Sequence, residues 1–327
     1  MFKRYLIDNN VTIETLLNLP VKDSEQLLVN YIERLKSNNK SHSLLNLLFC
    51  TMKHFYVMND IRINKEKIGK FLGESQRKNS DRAYYHGEIK KILDVSDLRM
   101  KVVILLLAST GMRIGSIPEL KLKNLEEISD KQIYKITVYE KSKQWEYYTF
   151  CSPECYHVIK SYLEYRTKSG EILDNESSYL IREQFDINDF EQIRKESRKI
   201  SVSTLKMNIQ LVLRKAGLRE VDHNYQSGDR KPIPMSHGFR KFWMTQAVKS
   251  NMNPEAREML LGHKIGLASA YYRPSEDDLL DAYLVAVDNL TIEESNRLRK
   301  KVDELQVKYD KIDALVSRID YLEKQLK

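Results

Sequence analysis

Four side chains between residues 235 and 273 have the chemistry needed to hold an anion and attack it. His237 and Arg240 stand three residues apart at the start of a predicted helix, so both side chains lie on one helical face. His263 follows a second predicted helix, and Tyr272 comes nine residues later. A guanidinium binds anions, imidazoles move protons and a phenol is a nucleophile. The segment therefore predicts nucleophilic chemistry at an anionic centre.

Two predicted helices must position these groups. Pro234 and Ser236 favour a helix start, with Ser236 as its N-cap. Asn253-Pro254 opens the next helix with proline at the first helical position, and Gly262 ends it. Each motif alone has an ordinary interpretation, since His-x-x-Arg is common on surface helices and Leu-Leu-Gly-His can simply end an amphipathic helix. The combination in this order and spacing is far more specific.

Cationic side chains upstream could join the same site. Residues 98–109 predict a buried helix, too short to span a bilayer, that is followed by Thr-Gly-Met-Arg-Ile-Gly. Arg113 would then stand on a rigid frame and bind a phosphate through its planar fork, or only complement the helix dipole. Residues 132–150 alternate apolar and polar residues and predict a β-hairpin with Lys141 and Lys143 in its turn. A turn lysine is usually just solvated, but it could donate a proton to a leaving oxygen.

The composition limits the class of protein. A chain of 327 residues suggests two domains, and its net charge of +8 suits a polyanionic partner. The sequence has no apolar run of about 18 residues that would predict a membrane helix. It shows no signal-peptide core, and three cysteines do not form a disulfide framework. We therefore expect a mainly helical protein of the cytoplasm that does not contact membranes.

The chain divides into three predicted segments. Residues 1–82 predict a helical module with a basic bias, because positions 34 to 82 hold eleven Lys and Arg against four Asp and Glu. Such a module could clamp a duplex through its phosphates, or the charges could form a solvated face. Residues 83–290 hold the candidate site. Residues 291–327 predict a final helix, with Thr291 as its N-cap and a heptad-like apolar seam that favours a coiled coil over a helix folded back on its own domain.

These residues and motifs resemble those of the tyrosine recombinases. The best-matching motifs are Thr-Gly-Met-Arg-Ile, Ser-His-Gly-Phe-Arg-Lys, and Leu-Leu-Gly-His followed by the tyrosine. The resemblance covers about residues 83–290, and the Tyr-Tyr-Arg-Pro-Ser-Glu ending with its heptad tail is most similar to integrases of archaeal viruses and integrative elements. The chemistry-bearing residues follow the order typical of that family: Arg113, Lys141, His237, Arg240, His263 and Tyr272.

The resemblance implies a mainly α fold with a small β-hairpin or sheet. A helical core-binding domain, residues 1–82, and a mixed α/β catalytic domain, residues 83–290, would form a clamp around double-stranded DNA. Residues 291–327 would add a coiled-coil-like helix. The family implies a homo-tetramer on two duplexes that integrates or excises a mobile element and is associated with the nucleoid.

The resemblance also implies a role for each site residue. Arg113 and Arg240 would bind the scissile phosphate, and Tyr272 would attack it to form a 3′-phosphotyrosyl bond. Lys141 would protonate the departing 5′ oxygen. His237 would assist proton transfer, and His263 would hydrogen-bond the phosphate. The covalent bond conserves the phosphodiester energy, so no metal, ATP or other cofactor is expected.

Several alternatives stay open at this point. The family usually has an acidic residue three positions after its first arginine, where this chain has Ser116, with Glu119 nearby. Lys143 could replace Lys141 as the proton donor, and Tyr271 could replace Tyr272 as the nucleophile. The same chemistry would serve a recombinase that resolves host chromosome dimers, or a type IB topoisomerase. A DNA-binding scaffold without activity is the alternative from another class.

Overall fold

The computed structural model describes residues 1–74, 81–194, 198–219, 232–266 and 272–295, together with five single residues between 306 and 316. These residues form helices and one three-stranded antiparallel sheet, which confirms the predicted mainly α fold with a small sheet. The chain divides into two compact units, Met1–Ser80 with His223–Pro232 and Asp81–Asp222 with Ile233–Lys327. Within the described ranges, no helix is both long and apolar enough to cross a membrane.

The first unit is helical. Polar caps start three of its helices, since the side chains of Thr12, Ser41 and Asn64 accept hydrogen bonds from backbone N–H groups of the first turn. Tyr5 and Leu48 are among the fully buried residues of its core. Its helices are α1 (Phe2–Asn9), α2 (Ile13–Asn18), α3 (Val21–Ser37), α4 (His42–Met58) and α5 (Lys65–Leu72).

The second unit is built around a central helix, α7 (Leu98–Thr110), in which every residue from Val102 to Thr110 is buried. The helix carries buried residues on all of its faces, as expected for the centre of a core. The predicted buried helix is therefore confirmed. Helices α6 (His86–Asp94), α8 (Pro153–Lys168), α11 (His237–Lys249) and α13 (Glu276–Leu290) pack against it. The remaining helices of this unit are α9 (Phe190–Arg194), α10 (Val202–Lys215) and α12 (Pro254–Leu260), with 3-10 turns at Ile114–Glu119 and Leu122–Asn124.

The sheet contains the predicted hairpin and one further strand. Strands β2 (Ile133–Val138) and β3 (Tyr147–Phe150) pair antiparallel, so the hairpin is confirmed. Strand β1 (Leu125–Ile128) pairs with the other edge of β2 and was not predicted. Its sequence, Leu-Glu-Glu-Ile, is short and lacks the alternation typical of a half-buried strand.

Two predicted caps are wrong. Ser236 precedes α11, but its backbone is already helical and its side chain makes no capping bond. The carbonyl of Pro234 instead accepts a hydrogen bond from Gly238 N, 2.8 Å away, so the backbone closes the first turn. Thr291 was expected to cap the last helix. Its hydroxyl instead donates to the carbonyl of Val287, 2.9 Å away, at the end of α13.

Glu154 holds the backbone just after the end of α13. Its two carboxylate oxygens each accept one backbone N–H, from Ile292 and Glu293, at 2.8 Å. Lys90 pairs with the Glu293 side chain at 2.7 Å. Beyond this point Tyr309, Ile312 and Leu315 are helical and exposed. The other heptad positions lie outside the described residues, and the coiled coil stays a prediction.

Candidate active site

The guanidinium of Arg240 lies at the meeting point of three helix ends. The side chain is only 6% exposed and projects from the first turn of α11. It donates to the carbonyl of Gly111, just past the end of α7, and to that of Leu261, just past the end of α12, both at 2.8 Å. It also contacts Nε2 of His263 at 2.6 Å. The main chain thus holds this cation from two sides.

Two glycines make this close approach possible. Gly111 has a φ of +64°, and a Cβ there would lie 2.6 Å from the Leu261 side chain. Gly262 has a φ of +67°, and its Cβ would lie 2.5 Å from the ring of Tyr147. Both conformations and both contacts require a residue without a Cβ. The Gly of Thr-Gly-Met-Arg and the Gly of Leu-Leu-Gly-His are therefore explained by packing around Arg240.

His263 is held from both ring nitrogens. Its Nδ1 lies 2.5 Å from Oε2 of Glu258, while Nε2 contacts Arg240. Its backbone N also donates to the carbonyl of Glu258, 2.9 Å away. Glu258 could not be predicted from the sequence, because a glutamate five residues before a histidine is not a recognised motif. Only the turn after α12 brings the two side chains together.

Arg113 supplies a second positive charge to the same place. Its side chain is exposed, and no described residue forms an ion pair or hydrogen bond with it. Burial lowers the pKa of Arg240, and the charge of Arg113 lowers that pKa further. Ser116 stands where the family usually has an acidic residue, and its hydroxyl donates to the main-chain carbonyl of Arg113 at 2.7 Å. Glu119 instead pairs with Lys199.

His237 is the first residue of α11 and lies on the exposed side of the cluster. Partial desolvation lowers its pKa, and the charges of Arg240 and Lys241 lower it further. The imidazole therefore favours its neutral form, which can accept a proton. Its position agrees with the prediction that His237 and Arg240 share one helical face.

Tyr147 is a further residue of the cluster, and the sequence predicts it only as a position within the 132–150 hairpin. Its ring packs against Gly262. Its hydroxyl is buried, and no described residue has an atom placed to form a hydrogen bond with it. Burial raises the pKa of this phenol to about 12, while the positive charge of Arg240 opposes that rise. The phenol stays protonated at neutral pH, so the site keeps its positive charge.

Comparison with known proteins identifies the family. Residues 82–277 match the model of the phage integrase family. The chain belongs to this family. No functionally curated protein matches the sequence at a significant level.

The fold is similar to those of solved site-specific recombinases and integrases. For XerH recombinase bound to difH the TM-score is 0.53 at 15% identity, covering 86% of this chain and 74% of that one. For the Tn1549 transposon integrase in complex with circular intermediate DNA it is 0.53 at 15% identity, covering 86% and 91%. For lambda integrase bound to DNA it is 0.50 at 13% identity, covering 84% and 91%. At these identities the similarity concerns the fold alone.

In this phage integrase family member, four predicted site residues form one cluster, and no contact among the described residues links the other two to it. Arg113, His237, Arg240 and His263 are close enough to contact one another or to shift one another's pKa. Lys141 and Lys143 are exposed in the hairpin turn. No described hydrogen bond or ion pair links Lys141 to the cluster. Its backbone has a φ of +70°, and its N–H donates to Glu146 at 2.7 Å.

Tyr272 is half-buried and precedes α13 by a few residues. It makes no hydrogen bond, ion pair or ring contact with another described residue. Tyr271, the alternative nucleophile, lies outside the described residues. The cluster is thus organised without the two groups that would make and break bonds, and their roles stay predictions.

Proposed function

We propose that this chain is a site-specific DNA recombinase that integrates or excises a mobile element through a covalent 3′-phosphotyrosyl intermediate. The observation that carries the proposal is the environment of Arg240. This guanidinium is buried, bonded to main-chain carbonyls and a histidine, and adjacent to the second cation Arg113. Because buried charges need compensation, such a pair suits a phosphodiester as its external counterion.

The proposed chemistry assigns a bond or a proton to each of five side chains. Arg113 and Arg240 bind the non-bridging oxygens and stabilise the charge that develops in the transition state. The Tyr272 oxygen bonds to phosphorus while the bond from phosphorus to the 5′ oxygen breaks. His237, favoured in its neutral form, accepts the phenolic proton, and Lys141 donates a proton to the leaving oxygen. A 5′-hydroxyl then reverses these steps and restores free Tyr272.

Family membership and charge support double-stranded DNA as the substrate. The chain has a net charge of +8, which favours binding to phosphates. Two structures of similar fold are described as a XerH recombinase bound to its difH substrate and a Tn1549 integrase in complex with DNA. We propose that residues 1–82 bind the duplex, residues 83–290 catalyse, and the helix of residues 291–327 helps a tetramer form on two duplexes at the nucleoid.

The mobile-element role is the finer part of this proposal. The ending after Tyr272 and the heptad tail are the features that resemble integrases of archaeal viruses and integrative elements. Resolution of chromosome dimers would use the same chemistry on a different site. Recombination between the two ends of the element, compared with recombination between two chromosomal copies of one site, separates these roles.

Covalent trapping tests the chemistry. Nicked suicide duplexes tiled across the element's junction are incubated with the full chain in the presence of a chelator. Wild type and Tyr271→Phe should form a denaturation-resistant adduct, and Tyr272→Phe should form none. Loss of the adduct only in Tyr271→Phe would move the nucleophile by one residue. Binding of DNA without any adduct across the whole tiling would reject the recombinase and favour a binding scaffold.

The proton donor needs its own test. Replacing the 5′-bridging oxygen with sulphur removes the need for protonation, because a thiolate is a good leaving group. Lys141→Ala should cleave the oxygen substrate poorly and the sulphur substrate well. Lys143→Ala is the matched control from the same turn and should cleave both substrates at wild-type rates. The opposite pattern would assign the role to Lys143.

A further inference from the structure

We infer that Glu258 is a positioning residue that fixes the tautomer and orientation of His263. Nothing in the sequence motif or in the family comparison points to this glutamate, which lies in the last turn of α12. The consequence for DNA cleavage rests on the proposed function. The effect on the histidine itself can be measured in the protein without DNA.

The contact is made twice, by the main chain and by the side chains. His263 N donates to the carbonyl of Glu258 at 2.9 Å, which closes the turn after the helix. Glu258 Oε2 then lies 2.5 Å from His263 Nδ1. Both side chains are partly exposed, at 40% and 37%, so this is no buried structural pair.

The hydrogen positions follow from the two partners of the ring. A carboxylate only accepts hydrogen bonds, so Nδ1 must carry the hydrogen in the contact with Glu258. A guanidinium only donates, so Nε2 must offer its lone pair to Arg240 at 2.6 Å. Both contacts require the same neutral tautomer. Glu258 therefore holds Nε2 towards the guanidinium that would bind the phosphate.

Helix stability does not explain why glutamate stands at this position. A negative charge in the last turn of a helix opposes the helix dipole. The acid that suits the dipole is Glu255, in the first turn of the same short helix. The contact that Glu258 does make is the one with His263. Its removal would leave the ring free to rotate or to change tautomer, and would leave one N–H of the buried Arg240 without its acceptor.

Nitrogen-15 NMR of the imidazole rings tests the inference without reference to activity. The chain has seven histidines, and the His263 signals are assigned by their loss in His263→Gln. Wild type and Glu258→Gln should show the hydrogen on Nδ1, because the Gln oxygen still accepts. Glu258→Met should show a mixture of tautomers or the hydrogen on Nε2. The same tautomer in all three proteins, or an Nε2 hydrogen in wild type, would overturn the inference.

Single-turnover cleavage of a suicide duplex tests the consequence. With saturating DNA, Glu258→Met should form the adduct about 10- to 100-fold more slowly, the range expected for losing one hydrogen bond to a charged group. Glu258→Gln should restore most of that rate, and DNA affinity should not change. Glu255→Met is the matched control on the same helix and should cleave normally.

The outcomes separate the two proposals. If wild type itself forms no adduct on any duplex, the proposed function fails, and the NMR result still decides the role of Glu258. If wild type cleaves and Glu258→Met cleaves at the same rate, the positioning role fails and the proposed function stands. Thermal unfolding of each variant shows whether a slow rate reflects a lost fold.

Discussion

Two buried arginines in the same unit have different kinds of hydrogen-bond partner. Arg166 on α8 is completely buried and donates to both carboxylate oxygens of Glu171, at 2.8 and 2.6 Å. It also donates to the carbonyls of Tyr179 and Leu180 at 2.8 and 3.1 Å. Arg240 is almost as buried, but its described partners are carbonyls and a histidine, with no carboxylate bonded to it.

The difference distinguishes a buried cation that has an internal carboxylate partner from one that has none among the described residues. Burial alone would raise the pKa of Glu171, but its bonds and charge interactions with Arg166 and Arg182 lower it, so this cluster holds its own counterion. The carboxylate of Glu258 raises the pKa of Arg240 by its charge but bonds to His263 instead. A second cation, Arg113, adds repulsion. The positive charge of the Arg240 cluster is therefore not balanced by a bonded carboxylate among the described residues, which is the feature that the proposed anion binding rests on.

Removal of the internal counterion should give the largest loss of stability. Glu171→Met leaves Arg166 and Arg182 buried without a carboxylate, so the free energy of unfolding should fall by about 3–5 kcal/mol in chemical denaturation. Glu164→Met is the control, because Glu164 lies on α8, the helix of Arg166, and forms an exposed pair with Lys168. That control should change stability by less than about 1 kcal/mol. Equal effects of the two substitutions would remove the contrast on which the comparison rests.

Removing Arg240, the cation with no bonded carboxylate, should slow DNA cleavage more than it lowers stability. Arg240→Gln should slow adduct formation about 10²- to 10³-fold, the usual effect of losing one preorganised donor to a transition-state oxygen. It should lower stability less than Glu171→Met does, because no buried carboxylate is left behind. Lys249→Gln, on the exposed last turn of the same helix, should cleave normally. A strongly destabilised Arg240→Gln protein with normal cleavage would make Arg240 a second structural cation.

Crowding at Gly262 should have a smaller effect. In Gly262→Ala the new Cβ meets the ring of Tyr147 and the backbone keeps a φ of +67°, so stability should fall by about 1–3 kcal/mol. Cleavage should also slow, because the Leu261 carbonyl and His263 flank this residue. Gly217→Ala shares a φ of +68° but has no neighbour within 4 Å, so its smaller loss measures the backbone contribution alone. Similar losses in both variants would contradict the packing around Arg240.

The smallest expected effect is a shift in pH dependence. The pKa of His237 is lowered by desolvation and by neighbouring cations, so its neutral form persists at more acidic pH than for an ordinary histidine. Adduct formation should therefore decline only below the ordinary histidine range, and His237→Ala should be slower without that acid limb. Because the pKa of His237 is lowered by folding, protonating this imidazole is less favourable in the folded protein than in the unfolded chain. The free energy of unfolding therefore falls as pH falls through this range. If adduct formation already declines at or above the ordinary pKa of histidine, this prediction about His237 is wrong. His157→Ala, an exposed histidine on α8, is the control.

Local signals predicted the helices well. Asn253 accepts backbone N–H groups at the predicted start of α12, because a side chain and the next turn are enough to form such a bond. Ser152 and Ser275 start α8 and α13 in the same way. The buried helix before Arg113 was equally clear, since its apolar residues cover all sides. Strand β1 was missed because its pairing with β2, and not its own residues, makes it a strand.

The site was predicted as a list of residues and not as a set of contacts. Arg113, His237, Arg240 and His263 could be found from residue type and order. Glu258 and Tyr147 could not, because each reaches the cluster through a turn or a strand pairing that no local pattern encodes. Lys141 and Tyr272 remain predictions, since the contacts that would define them are absent from the described part of the chain.

The two bonds of Glu154 have a mechanical consequence for the C-terminal segment. A pull on residues beyond Glu293 is opposed first by this carboxylate, which holds two consecutive amides and is anchored in the first turn of α8. The force passes through Glu154 into α8 before it reaches α13. Tyr272 precedes α13 in the chain, so it lies beyond that helix from the point of pulling. A force applied beyond Glu293 therefore does not reach the segment that carries Tyr272 while both bonds of Glu154 are intact.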